Sequence, residues 1–104
     1  MSEIVRELVL IVTAAYVGSV GYGDVYQCQI KKVLAGIAIE STIRVSILAG
    51  DYERSRIFAA HPPPVELEMG FVMRNKDEPY DMTPISGFVD RDKTSWEIVY
   101  VKPL

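Results

Sequence analysis

Few residues in this chain are equipped for covalent chemistry. There is one histidine, His61, and one cysteine, Cys28. A paired thiol and imidazole would supply a nucleophile and its base. However, His61 stands directly before Pro62, Pro63 and Pro64, and Cys28 falls in an alternating run where it faces inward as a small apolar residue. No Gly-x-Ser-x-Gly elbow is present. One histidine and one cysteine do not fill a structural zinc shell. Asp77, Glu78, Asp81, Asp90 and Asp92 are acidic neighbours without the Asp-x-Asp-x-Asp-Gly order of a calcium loop, and they read as solvated turns. Gly18, Gly21 and Gly23 lack the Lys-Ser/Thr ending and the following helix of a phosphate loop, so they read as a hairpin loop. These observations predict a domain with no cofactor, no metal and no enzymatic activity. Catalysis would require His61 to face a cleft beside an acid or a thiol.

The residue types are better suited to binding. Oligonucleotide binding calls for a basic groove with exposed aromatics. Its candidates are Lys31, Lys32 and Arg44, with Arg54 and Arg56 from the next connector, and Tyr22 and Tyr52 in loops. The net charge of −3 and a pI near 5.1 weigh against a general nucleic-acid binder. A protein partner needs less. Pro63 lies in a run preset for an extended conformation, and Tyr80, Met82 and Ile85 are apolar residues within the polar stretch 75–87. The expectation is therefore a protein or peptide partner before a single-stranded oligonucleotide. Self-association is a third route, through Val99 and Val101 if Trp96, Ile98 and Tyr100 face inward.

The elements that must position these residues are strands. Tyr26, Cys28 and Ile30 alternate with Gln27, Gln29 and Lys31, which gives one buried and one wet face. Lys32 breaks that phase, and one extra residue at Lys31–Lys32 would restore it as a β-bulge. Ile43, Val45 and Ile47 alternate with Thr42, Arg44 and Ser46 up to the Gly50 turn. Val65, Leu67, Met69, Phe71 and Met73 form the clearest strand, with a bend expected at Gly70. The apolar run Ile4–Val17 is rich in β-branched residues and reads as a long, covered strand. Residues 52–60 have room for one or two helical turns, which the prolines must end. Phe88–Val89 and Trp96–Val101 read as a terminal hairpin.

In order, these elements are a long strand, a hairpin, a short connector, a strong strand, a long loop and a final strand. That order resembles an OB-fold. The resemblance implies a single domain over residues 1–104: an all-β, five- to six-stranded OB-like barrel with a short helical or irregular connector between strands three and four that plugs one end. A lone cysteine, the absence of a signal-like leader and the shortness of the Leu8–Val12 run predict a cytoplasmic protein without a membrane span.

Overall fold

The computed structural model describes residues 7–38, 40–74 and 86–104. The elements follow as β1 (Glu7–Val20), β2 (Gly23–Ala35), β3 (Thr42–Leu48), α1 (Tyr52–Ala60), β4 (Val65–Met73), β5 (Gly87–Val89) and β6 (Ser95–Pro103). The strands close into one antiparallel barrel, ordered β1-β2-β3-β5-β6-β4, with β4 pairing back onto β1. This is the all-β, OB-like barrel expected from the sequence, with its helix between the third and fourth strands.

The apolar N-terminal run is a central strand because its β-branched side chains suit a pleated surface covered on both edges. It pairs with β2 on one side and, from Glu7 to Ala14, with β4 on the other. The β4 ladder stops at Val65 because Pro62, Pro63 and Pro64 have no N–H to donate. Among the described residues, β1 beyond Ala14 therefore keeps only β2 as a neighbour. The alternating inward residues meet in one core: Leu8, Leu10 and Val12 of β1, Cys28 of β2, Val45 and Ile47 of β3, Leu67, Met69 and Phe71 of β4, and Ile98 of β6. Helix α1 starts at the Asp51 cap and ends before the prolines. Its one buried residue, Phe58, stacks on Tyr26 with ring centroids 4.0 Å apart, and Tyr26 meets Tyr16 edge-on at 5.7 Å. This aromatic column plugs the helix end of the barrel.

The bulge expected at Lys31–Lys32 is present. Val12 faces Ile30 and Ile11 faces Lys32, which leaves Lys31 as the extra residue. A bulge in β6 changes the reading of that strand. Phe71 faces Ile98 and Gly70 faces Tyr100, so Val99 is the extra residue and the inside–outside phase reverses after it. Trp96 and Ile98 are buried as expected, but Tyr100 points outward and Val101 is buried at 7% exposure. The apolar pair Val99–Val101 therefore does not form an exposed face, because only Val99 is outside.

The outward Tyr100 ring lies over Gly70, where a Cβ would come within 2.2 Å of it. Its hydroxyl donates to Glu68 Oε2 at 2.6 Å. The hydrogen bond to Glu68, then burial and the carboxylate charge, push this hydroxyl up to about 12. Because the folded state holds this proton more tightly than the unfolded chain, the stabilisation is complete below pH ~10, the ordinary tyrosine value. It is lost as pH rises from there towards the folded value. In an alkaline titration followed by phenolate absorbance, Tyr100→Phe is expected to remove a step near pH 12. Loss of a step near pH 10 instead would show that the Glu68 bond does not hold in solution.

Candidate functional site

The helix-capped end carries several exposed apolar side chains. β1 and β2 are joined by the two-residue turn Gly21–Tyr22, since Val20 pairs directly with Gly23. The Tyr22 carbonyl accepts the Ala49 N–H at 2.9 Å, which ties this hairpin tip to the turn between β3 and α1. Tyr52, the first residue of α1, follows that turn. Tyr22 is 56% exposed and Tyr52 74%. Tyr16, Val17 and Val20 on the same hairpin are also exposed. The tip is internally braced: Ser19 Oγ donates to Asp24 Oδ1 at 2.7 Å, so the Tyr16 hydroxyl, also 2.7 Å away, donates to Ser19.

Behind the two tyrosines lies a polar staple. Asp51 caps α1, with Oδ1 accepting the Arg54 N–H at 3.4 Å. The Arg54 guanidinium returns to the same carboxylate at 3.1 and 3.2 Å. It also donates to the Val99 carbonyl, on the residue that the β6 bulge leaves out of the ladder. Ser86 Oγ donates to Asp51 Oδ2 at 2.8 Å and accepts the Leu48 N–H at 3.0 Å. Helix, bulge and barrel seam thus meet at one carboxylate. This arrangement orients the helix; it holds no nucleophile and base in the order that acyl transfer requires.

The structure separates the basic residues. Arg54 serves the staple. Arg56 is exposed on α1. Arg44 lies midway along β3, opposite Gln27. Lys31 and Lys32 are exposed towards the far end of β2, roughly 26 Å along the strand from the Tyr22 turn at ~3.3 Å per residue. Around the barrel, Lys32 faces Ile11, which faces Glu68, which faces Lys102, so acid and base alternate there. Tyr22 and Tyr52 stand on turns joined by the Tyr22–Ala49 hydrogen bond; Arg56 lies one helical turn after Tyr52, while Lys31, Lys32 and Arg44 are not gathered beside them.

Pro63 is half-buried after α1, whereas Tyr80, Met82 and Ile85 lie outside the described residues. His61 is exposed, and its backbone N–H closes α1 on the Ile57 carbonyl at 2.9 Å. Cys28 is wholly buried, with its thiol 3.9 Å from the Tyr26 carbonyl, and burial pushes that thiol up to about 12. The core thiol and the surface imidazole are not brought together. Among the described residues, no three His, Cys, Asp or Glu side chains are grouped to hold a metal ion. Nor is any described helix long and apolar enough to cross a membrane.

No family model, curated protein or solved structure matches this chain. Sequence reading passed over Tyr16 and Val17 because they end an apolar run that looks covered throughout, and over Val20 because it read as part of the glycine loop, whereas β1 runs on to Val20. The signal that could have found them is the proline run, which stops β4 and leaves the last six residues of β1, 15 to 20, with one strand neighbour.

Proposed function

We propose that this domain is a non-enzymatic cytoplasmic binding module that engages a protein partner through its helix-capped end. The observation carrying this reading is that Tyr16, Val17, Val20 and Tyr22 are exposed on one braced hairpin whose tip is hydrogen-bonded to the turn that leads into exposed Tyr52. Aromatic residues on a rigid support lose little entropy on binding and dominate interface energetics. The separation of the basic residues, together with an overall charge of −3, favours protein over nucleic acid.

The test compares immobilised wild-type domain with a Val20→Ser/Tyr22→Ser/Tyr52→Ser variant of unchanged circular dichroism. Specific protein partners retained by wild type are expected to fall about tenfold or more on the variant, as for loss of a hot spot. Equal retention by both would remove this surface from the reading. Labelled single-stranded DNA and RNA are titrated in parallel at low salt. Saturable binding that is lost in Lys31→Ala/Lys32→Ala/Arg44→Ala would put oligonucleotide binding first.

A further inference from the structure

Among the described residues, no helix plugs the opposite end of the barrel. There a cavity of about 110 Å³ opens between Leu8, Ile30, Ile43, Phe88 and Trp96, with Ile37 and Ala38 at its lip. Its floor is apolar and its remaining lining residues are all acidic: Glu40, Asp90 and Asp92. Asp90 is committed to the fold. Its Oδ1 accepts the Asp92 and Thr94 N–H groups, both at 2.9 Å, and its Oδ2 accepts the Trp96 indole N–H at 3.0 Å. These bonds fix the tight turn after β5 and lock the indole, which stacks nearly parallel to Phe88. Glu40 Oε2 accepts the Arg91 N–H at 3.3 Å and stays at the lip, and Asp92 is exposed there. Arg91 and Lys93 share the turn but do not line the cavity.

A preformed apolar hole ringed by carboxylates selects an occupant with an apolar stem and a positive head. At roughly 10–15 Å³ of such space per water-sized group, the hole has room for the four methylenes of a lysine stem. We infer that the open end of the barrel is a second binding site, one that receives a lysine side chain of a protein partner, with its methylenes among Leu8, Ile43, Phe88 and Trp96 and its ammonium between Glu40 and Asp92. A lysine stem buries readily while its head stays at a wet, charged rim. A compact ammonium on a four-methylene stem suits a small apolar hole with a carboxylate lip, whereas a carboxylate or phosphate meets like charge. The site is at the opposite end from Tyr22 and Tyr52, so it stands or falls independently of that surface.

Trp96 is the chain's only tryptophan and lines the hole, so its fluorescence reports occupancy directly. The wild-type chain is titrated at low, fixed ionic strength with Nα-acetyl-lysine amide, with the same compound acetylated at Nε, with n-butylammonium chloride and with sodium butyrate. The expected result is a saturable change with the lysine amide and with butylammonium. It should weaken with added salt and be absent for the Nε-acetylated compound and for butyrate. Glu40→Gln/Asp92→Asn, which keeps shape and removes charge, is expected to weaken lysine binding about tenfold, as for loss of charge-assisted contacts. Amide shifts in a nitrogen–proton correlation spectrum, mapped to residues 37–43 and 88–96, check that the fluorescence change is local. Butylammonium binding without lysine-amide binding would make this a small-amine site and overturn the partner. Equal binding of the acetylated compound, or no binding by any of the four, would overturn the site. Loss of partner retention in the Tyr22/Tyr52 variant leaves this result untouched, and the reverse also holds.

Discussion

Gly87→Ala is expected to remove much of the stability of the closed barrel. Gly87 adopts φ +155°, a backbone conformation that side chains disfavour. A Cβ there would sit 1.9 Å from the Trp96 carbonyl oxygen and 3.1 Å from the Glu97 Cα. Both are backbone atoms of the neighbouring strand, so no rotamer change relieves the clash. The position is also where the barrel closes. Among the described residues, β3 and β5 share a single ladder pair, Ser46 with Gly87, and Gly87 also pairs with Glu97 on β6. Pushing β6 away to admit the methyl group breaks the seam on both sides. The expected loss is roughly 4 kcal/mol or more, in the range reserved for backbone strain combined with broken pairing. Against a typical total of ~5–15 kcal/mol, that takes most of the stability of a domain at the low end of the range. The measurement is a urea or thermal denaturation curve by far-ultraviolet circular dichroism. A midpoint within the range of a surface substitution would show that β5 is not the closing strand. Gly50→Ala is the control, because its Cβ would meet nothing within 4 Å.

Periodicity made most of this barrel readable. The alternation of Ile43, Val45 and Ile47, and of Leu67, Met69 and Phe71, carries over directly into buried faces. So does the Lys31 bulge, because an inserted residue leaves a visible break in phase between Ile30 and Val33. The Val99 bulge left no such mark. Trp96, Ile98, Tyr100 and Val99, Val101 are apolar in both phases, so a phase reversal changes which residues are buried without changing the pattern. Only the partner strand reveals it, through Gly70 opposite Tyr100 and Arg54 on the Val99 carbonyl. The candidate surface was legible in part. Tyr22 and Tyr52 stood out as aromatics in loops, but the link between them depends on the Tyr22–Ala49 hydrogen bond between two turns 27 residues apart (49 − 22). The scatter of Lys31, Lys32, Arg44 and Arg56 depends on strand length and direction, and residue type does not encode it. Nor does residue type encode the open-end cavity, whose walls come from residues as distant as Leu8 and Trp96.

Asp51→Ala is expected to cost about 2–3 kcal/mol and to loosen the aromatic surface with it. The carboxylate has three duties, each lost to alanine. It caps α1, a contribution worth about 1 kcal/mol. It accepts the hydroxyl of Ser86, a residue only 7% exposed, which would then lack its acceptor. It also holds the Arg54 guanidinium against the Val99 carbonyl. That ion pair is partly wet, with side-chain exposures of 21% and 13%, so its share is taken at the low end for a charge-assisted bond. Asp51→Asn separates these duties. It keeps one oxygen, which can serve the cap at the Oδ1 position or Ser86 at the Oδ2 position but not both, and it removes the charge facing Arg54, so it is expected to recover only part of the loss. Arg54→Met removes the guanidinium while leaving Asp51 its helix and its serine, and it should cost less than Asp51→Ala. Because Asp51 immediately precedes Tyr52 and follows the Ala49–Gly50 turn tied to Tyr22, fraying of α1 frees both tyrosines. Amide hydrogen exchange should therefore rise at residues 48–58 in Asp51→Ala, well below the denaturation midpoint. If exchange there stays at the wild-type rate while global stability falls, the staple holds the seam through Ser86 alone, and the placement of Tyr22 and Tyr52 owes nothing to it.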